Sequence, residues 1–185
     1  MDAKVIVNGI EVSLNHQEID ELPDLLTCSE KNQAVFHELA KSPSSLVRES
    51  MAYNKVLPEE TVALLLKDKS IDVLRRIVEN SRAVELITED DMDRLISTED
   101  TELMTTIAEN IDNYYLCDPD FICDRLVNQA NPHIRLELAK SNFTPRAYLK
   151  KLAKDTDIYV SEKASAMLKE LEEDDLEDEE NPLAI

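Results

Sequence analysis

The sequence predicts an all-α protein, a right-handed solenoid of paired helices with a short N-terminal β-hairpin cap and an acidic tail. Three observations lead to this prediction. The 185 residues contain one glycine, Gly9, whereas β-rich and α/β folds usually need several glycines at turns. Apolar residues recur at helical spacing along most of the chain. A helix–turn–helix pattern, first seen in residues 44–68, recurs every 25 to 31 residues, as stacked helical repeats do.

Residues 4–14 predict the β-hairpin. Apolar and polar residues alternate on both sides of Asn8-Gly9, and this dipeptide favours a tight hairpin turn because both of its residues accept positive φ. An isolated hairpin is only marginally stable. We therefore expect it to pack on the first helices as a cap. Pairing of its exposed edge with a partner protein is the alternative.

Two helices are predicted between residues 15 and 42. The first follows from the apolar positions Ile19, Leu22, Leu25 and Leu26. The second has its apolar face at residues 35–40, and Ser42-Pro43 ends it because the residue before a proline disfavours helical geometry. Residues 1–43 are thus predicted to form a cap. Residues 44–169 form the repeat array, and residues 170–185 form a tail.

Each predicted repeat contains a first helix and a second helix. The first helix carries a small or branched residue at a recurring position, in turn Ala52, Val78, Ala108, Ala139 and Ala164. It then ends near an asparagine, a residue that tolerates the left-handed conformation of helix ends; these are Asn54, Asn80, Asn110 and Asn142. The second helix starts at Pro58 in one repeat and at a predicted N-cap in the others, namely Thr88, Asp118 and Thr144.

Three first-helix strings resemble the leucine-rich variant repeat, a relative of the HEAT and armadillo α-solenoids. They are VRESMAYN from Val47, LRRIVEN from Leu74 and IRLELAKSN from Ile134. The resemblance covers residues 44–168 and implies a HEAT-like fold that binds other proteins on its curved face. The third repeat departs from it, since Met104-Thr105 replaces the apolar–arginine pair. Some relatives carry a cysteine-rich iron–sulfur segment, but this chain has no cysteine cluster, so no cofactor is expected.

The recurring arginines Arg48, Arg75 and Arg135 have two alternative roles. Each guanidinium can bond helix-end carbonyls or an acidic group of the next repeat. The three can instead form a ladder that holds an acidic ligand. As candidate protein-binding residues the sequence offers these three arginines together with Leu183 and Ile185 near the C-terminus.

The net charge of −20 restricts the partners. Proteins that bind nucleic acid neutralise its phosphates with Lys and Arg side chains. We therefore expect no direct binding to nucleic acid or to an anionic membrane surface. Some solenoids of the resembling class are DNA glycosylases with a basic groove. Here residues 1–169 alone hold 31 acidic and 20 basic side chains, and no basic stripe is predicted. A basic protein partner is favoured by charge.

Catalytic and metal-binding patterns are not found in the sequence. The histidines His16, His37 and His133 have no partner at metal-ligand spacing. The cysteines at positions 28, 117 and 123 are expected to be free thiols in a reducing compartment. The carboxylates at residues 89–91 fit a helix N-terminus. No apolar run reaches membrane-spanning length, so a cytoplasmic protein is predicted. Because no catalytic or metal-binding pattern is found, we also expect that the protein is not an enzyme and holds no metal.

The tail from Glu170 to Glu180 has nine acidic residues among eleven, and a block of this kind is expected to be largely disordered. It either solubilises the protein or presents Leu183 and Ile185 as anchors for a partner's basic-rimmed pocket. The predicted function is non-catalytic protein binding by an adaptor or scaffold. The alternative is an acidic inhibitor or immunity-type protein that mimics nucleic acid and blocks a basic nuclease or DNA-binding protein. The oligomeric state is left open.

Overall fold

The computed structural model describes residues 3–7, 10–26 and 29–180. Helices make up 66% of these residues, and the two strands of one small sheet are the only strands among them, so the all-α prediction is confirmed. The chain divides into two compact units, Met1–Leu86 and Ile87–Ile185. None of the described helices combines the length and the hydropathy that crossing a bilayer requires.

The first unit contains a hairpin and six helices in the part of the chain that is described. Its elements are β1 (Ala3–Val7), β2 (Ile10–Leu14), α1 (His16–Leu25), a 3-10 turn (Glu30–Asn32), α2 (Gln33–Leu39), α3 (Ser45–Ala52), α4 (Glu59–Leu65), α5 (Ile71–Val78) and α6 (Ser81–Val84). The second unit contains α7 (Glu89–Ile96), α8 (Thr101–Glu109), a 3-10 turn (Ile111–Asn113), α9 (Pro119–Leu126), α10 (Pro132–Lys140), α11 (Arg146–Leu152) and α12 (Ile158–Glu180).

The predicted hairpin is confirmed. Strands β1 and β2 pair antiparallel, with Val7 opposite Ile10, and β2 packs against α1. The predicted turn, Asn8-Gly9, lies outside the described residues. Helix α1 starts with a capping box, because the Asn15 side chain accepts from the Glu18 N–H at 3.0 Å and the Glu18 carboxylate accepts from the Asn15 N–H at 2.7 Å.

The five small positions that the sequence analysis aligned are all buried. Four of the five residues lie eight positions after the N-cap of their helix, and each has 0% exposure: Ala52, Val78, Ala108 and Ala139. Ala164 is equally buried but lies seven positions after Asp157, which caps α12. Within the first unit α3 packs on α5, and within the second unit α10 packs on both α8 and α12. The helices that the sequence analysis predicts as first helices of successive repeats are therefore neighbours within each unit.

The predicted role of the asparagines as left-handed helix ends is wrong. Among the described residues other than glycine, only Glu99 has positive φ, at 57°. Asn80 shows what replaces that geometry: its amide nitrogen donates to the carbonyls of Ala52 and Asn54 at 2.7 Å each, and its oxygen caps α6. The side chain thus satisfies the helix-end carbonyls, so no left-handed residue is needed there.

Glu99 takes the left-handed conformation because its linker is short. Two residues, Thr98 and Glu99, separate the C-cap of α7 from the N-cap of α8, whereas three separate the corresponding caps between α4 and α5 and between α9 and α10. A positive φ lets the chain reverse in fewer residues, at a steric cost for any residue with a Cβ. The predicted N-caps Thr88 and Asp118 are confirmed. The predicted N-cap Thr144 is instead buried and donates to the Leu138 carbonyl at 2.7 Å, since Pro145 occupies the cap position.

Helix α12 continues to Glu180, so the acidic block is helical where the sequence predicts disorder. The first turns of α12 are anchored by the buried residues Val160, Ala164 and Met167, and the helix packs on α10 and α11. Glutamate and leucine are good helix formers, which allows a helix anchored at its start to propagate into the block. Leu183 and Ile185 lie outside the described residues.

Candidate functional site

Arg48 connects two linkers of the first unit. Its Nε and Nη2 donate to the carboxylate of Asp68 at 2.6 and 2.9 Å, on the linker after α4. Its Nη1 donates to the carbonyls of Ser42 and Pro43 at 2.8 and 3.1 Å, on the linker before α3. The side chains of Arg48 and Asp68 are 17% and 7% exposed. We call this arrangement of one arginine, one aspartate and two carbonyls an arginine clamp.

A second arginine clamp with the same spacing lies in the second unit. Arg135 donates from Nε and Nη2 to Asp155 at 2.7 and 2.9 Å, and from Nη1 to the carbonyls of Gln129 and Ala130. The aspartate again follows the arginine by 20 residues, and the two carbonyls precede it by six and five. Each clamp uses four guanidinium hydrogen bonds within the protein. This geometry favours the structural alternative for Arg48 and Arg135 over the ligand ladder.

Arg75 does not belong to this series. Counted from the N-caps of α3 and α5, Val73 corresponds to Val47 and Leu74 corresponds to Arg48, so the predicted alignment of Leu74-Arg75 with Val47-Arg48 is one residue out of register. The Arg75 side chain is 33% exposed, and its guanidinium lies 4.0 Å from the Asp72 carboxylate. The three predicted arginines therefore occupy two different kinds of position.

The clamp aspartates are held in their ionised form. Burial by itself raises the pKa of Asp68, but the hydrogen bonds from Arg48 and from the Ser70 N–H outweigh burial and leave this pKa below its usual value. For Asp155 the hydrogen bonds from Arg135 are the largest influence, burial opposes them, and the net pKa is again lowered. Both carboxylates also accept from a backbone N–H two residues ahead, which fixes the following helix start.

A shallow depression lies beside each clamp. The first-unit depression has a volume of about 360 Å³. The clamp residues Arg48 and Asp68 line it together with three lysines: Lys41, Lys67 and Lys69. The second-unit depression has a volume of about 450 Å³. Arg135 and Asp155 of the other clamp line it, and so do Lys151 and Lys154. Both depressions are therefore basic in a chain whose net charge is −20.

Helix α11 and the residue after its C-cap form a basic face that the sequence analysis missed. Residues 143–154 include no acidic residue and four exposed cationic ones, Arg146, Lys150, Lys151 and Lys154. Lys151 donates to the side chain of Asn128 at 2.7 Å. The run RAYLKKLAK was visible in the sequence, but a charge summed over the whole chain conceals a cluster confined to one helix.

A second set of residues that was missed lies in the turns before the second helices. In four turns an apolar residue stands two positions before the N-cap and is at least partly exposed, and the residue after it is buried. The partly or fully exposed residues are Val56, Leu86, Leu116 and Phe143. Leu116 and Phe143 are 54% and 52% exposed. The neighbouring aromatic residues Tyr53 and Tyr115 are exposed as well. A partly exposed apolar residue followed by a buried one before a cap is the signal that could have identified these positions.

Carboxylates concentrate at the first turns of three second helices. The exposed ones are Glu59 and Glu60 on α4, Glu89 and Asp90 on α7, and Asp120 on α9. Helix α11 has Arg146 at this place instead. Carboxylates are favourable at helix N-termini, which accounts for them without a ligand.

The structure shows the surroundings of the candidate metal ligands and of two cysteine thiols. Among the described residues no group of three or more His, Cys, Asp or Glu could hold a metal ion. Burial, together with the charges of Glu89 and Asp91, raises the pKa of the Cys117 thiol to about 12. Burial likewise raises the pKa of Cys123 to about 12. Both thiols are thus protonated and unreactive at neutral pH. Cys28 lies outside the described residues.

Comparisons with protein-family models, with curated proteins and with solved structures each gave no match. The candidate site therefore consists of what the geometry provides: two arginine clamps with basic depressions, one basic helix, and four apolar turns.

Proposed function

We propose that the protein is a non-catalytic scaffold that binds another protein, built as a right-handed α-solenoid of HEAT-like, leucine-rich variant repeats. The neighbouring first helices within each unit support this architecture, as do the four buried small positions at one register. The repetition of the arginine clamp at the same spacing supports it further. In a solenoid each repeat contacts only its neighbours, and a contact that spans about one repeat, as each clamp does, fits that arrangement.

The observation that carries the proposal is the apolar position in the turns. Single exposed apolar residues are common on protein surfaces and need no explanation. A partly exposed apolar residue at one register in four successive turns is different, because the fold buries the next residue but leaves this one accessible. Aromatic side chains are enriched among the residues that supply most of the binding energy at protein interfaces, and Phe143, Tyr53 and Tyr115 place exposed aromatic rings in these turns. Leu116 and Phe143 are the most exposed members of the set.

The clamps contribute by holding the linkers in place. These linkers join one helix pair to the next and are separate from the apolar turns, so the clamps support the helices that carry the turns and do not order the contact residues directly. Direct partner contact by Arg48, Arg75 and Arg135 stays a prediction, and so do the anchoring roles of Leu183 and Ile185. In this proposal the turns make the primary contact.

The experiment is a quantitative pull-down from source lysate with the full-length protein as bait. The test variant is Leu116→Ser with Phe143→Ser, and the control is Leu46→Ser with Val35→Ser, which removes two apolar side chains of comparable combined exposure outside the turns. We expect the control to retain the wild-type partner and the turn variant to lose it, with circular dichroism unchanged in both. Equal recovery by both variants would show that the turns are not the contact surface.

A second candidate function, the acidic inhibitor, is favoured by the exposed carboxylates at the first turns of α4, α7 and α9. Such carboxylates would stand in for phosphates on a basic nuclease or DNA-binding protein. Binding of this kind weakens steeply with salt. If the recovered partner is a basic nucleic-acid enzyme, Glu89→Gln with Asp90→Asn should weaken its binding at low salt. Binding that is indifferent to salt would exclude this function.

A further inference from the structure

We propose that the basic depression of the second unit binds the acidic helical segment, residues 170–180, of a second copy of this chain, so that copies associate head to tail. The receiving surface and the proposed occupant are both present in the chain. This surface is distinct from the apolar turns, so the proposal and the proposed function can fail independently.

The receiving surface offers cations that the protein does not use internally. Lys154 lines the depression just after the C-cap of α11, and Lys150 lies four residues earlier, within α11. Their ammonium groups make no ion pair or hydrogen bond with any residue in the described part of the chain. At the start of α12, two residues beyond the depression, Ile158 and Tyr159 are 62% and 70% exposed. The surface therefore combines unpaired cations with an apolar rim.

The occupant has the complementary chemistry. Nine of the eleven residues from 170 to 180 are acidic, the other two are Leu171 and Leu176, and no cation follows Lys169. The segment is the continuation of α12. An acidic helix with two leucines matches a basic depression with an apolar rim in both charge and polarity.

The chain cannot place its own segment in its own depression while α12 stays helical. The depression adjoins the start of α12 at Asp155 and Thr156. At 1.5 Å per residue, Glu170 lies about 18 Å and Glu180 about 33 Å along the helix from Ile158. Arg146, at the opposite end of α11, donates to the Leu171 carbonyl at 2.9 Å, which shows that α11 and α12 run antiparallel. A second copy meets no such constraint.

The basic face is one helix wide, and this favours a single acidic segment over a nucleic acid. Helix α9 borders it directly, because Tyr148 donates to the Asp124 carboxylate at 2.6 Å and Lys151 bonds Asn128. A duplex or a long phosphate backbone laid on α11 would also meet the carboxylates of α9. In the first unit the corresponding helix α4 contains two glutamates and no cation, so that unit has no basic helix beside its depression and is the poorer receiver.

The experiment is sedimentation velocity of the full-length protein over a range of concentrations up to about 1 mM, at about 50 mM and about 500 mM salt, where screening differs strongly. The test variant is Lys151→Glu with Lys154→Glu. The matched control is Lys67→Glu with Lys69→Glu, which makes the same change in net charge at the first-unit depression. Far-UV circular dichroism and melting monitor the fold, and glutamine at the same positions replaces glutamate if a variant unfolds.

We expect association of the wild type at low salt, with a dissociation constant raised at least about tenfold at high salt and in the test variant, but changed less than about twofold in the control. A charge swap gives a positive test. In the swap variant the end of the acidic segment is reversed by Glu177→Lys, Asp178→Lys, Glu179→Lys and Glu180→Lys. Mixing it with the Lys151→Glu, Lys154→Glu variant should restore association.

Three results would overturn the proposal. The wild type could remain monomeric at low salt over the whole concentration range. The two lysine-pair variants could weaken association equally, which would indicate general charge effects instead of docking at α11. The mixture of swap and test variants could fail to associate although each variant is folded.

Discussion

Breaking the second arginine clamp should destabilise the protein measurably, and the structure sets the size of the effect. Arg135 and Asp155 are 12% and 10% exposed, and two charge-assisted hydrogen bonds join them. Hydrogen bonds to charged groups contribute about 1.5–3 kcal/mol, and removing one member of a buried pair costs about 3–5 kcal/mol. Here Arg135 keeps its two carbonyl acceptors after Asp155 is changed. We therefore expect Asp155→Asn to cost about 2 kcal/mol.

The assay is urea unfolding at pH 7, monitored by circular dichroism, of the wild type, Asp155→Asn, Arg135→Met and the double variant. Asparagine preserves an oxygen that can accept from the Asp157 N–H, so the substitution isolates the charge. The coupling free energy of the cycle should be about 1.5 kcal/mol. For a chain of this size, the loss from Asp155→Asn corresponds to a melting temperature lower by about 4–8 °C.

The first clamp provides a replicate within the same molecule. Because Arg48 and Asp68 have matching distances and similar burial, their cycle should give a coupling energy within about 1 kcal/mol of the first value. Lys41→Met, which removes an exposed ion pair with Glu38, is the control and should produce no measurable change. Coupling energies near zero in both cycles would refute the reasoning, because the arginines would then act through the carbonyls alone.

The clamp also predicts the direction of the pH dependence. The pKa of Asp155 is lower in the folded protein than its ordinary value of 3.8, so the folded state favours the ionised form. The resulting stabilisation is complete above the unfolded pKa and is lost as pH falls through the folded pKa. The difference in unfolding free energy between the wild type and Asp155→Asn should therefore be largest near neutral pH and should shrink below about pH 4. A difference that grows in acid would contradict the assignment.

Three further predictions test the repeat register, the strained linker and the buried thiols. Ala139→Asp should unfold the second unit, because it buries an unpaired carboxylate at a position with 0% exposure, whereas Ala147→Asp on the exposed face of α11 should leave circular dichroism and melting nearly unchanged. Glu99→Gly should raise the free energy of unfolding by up to about 1 kcal/mol, since glycine accepts positive φ without strain, and Ala130→Gly in the longer linker should lower it. A Cys28→Ser variant should react with a thiol reagent at neutral pH only after denaturation, because both buried thiols have raised pKa values; rapid labelling of the native protein would argue against their burial.

Much of the local structure was predictable because it depends on neighbours in the sequence. Alternation around Asn8-Gly9 predicted the hairpin, and helical spacing predicted the helices. The buried small positions followed from aligning the first helices, and Ala52 and Ala139 occupy the expected register. The alignment of Arg75 with Arg48 was one residue out of register because the apolar–arginine pair was aligned without fixing where the helix begins. Because Ser70 is the N-cap of α5, the residue that corresponds to Arg48 is Leu74 and not Arg75.

The polar contacts between linkers were not predictable in the same way. Asp68 and Asp155 each follow a lysine after a second helix, but only the packing of helix pairs brings them to an arginine 20 residues earlier.

The helical acidic block was missed for a related reason. Composition alone predicts disorder, while the anchored start of α12 on α10 and α11 gives the helix a base from which to continue.

The reach of the tertiary hydrogen bonds has a consequence for how the chain folds. The clamps close loops of 20 residues, Asn80 bonds the Ala52 carbonyl 28 residues away, and Cys117 bonds the Ile87 carbonyl 30 residues away. Each of these contacts spans about one repeat, so the entropy of closing the loop is small and similar throughout the chain. Proteins with such low contact order fold quickly, since no step has to wait for distant segments to meet. Within each unit, a helix pair can therefore form beside the one before it without waiting for the rest of the chain.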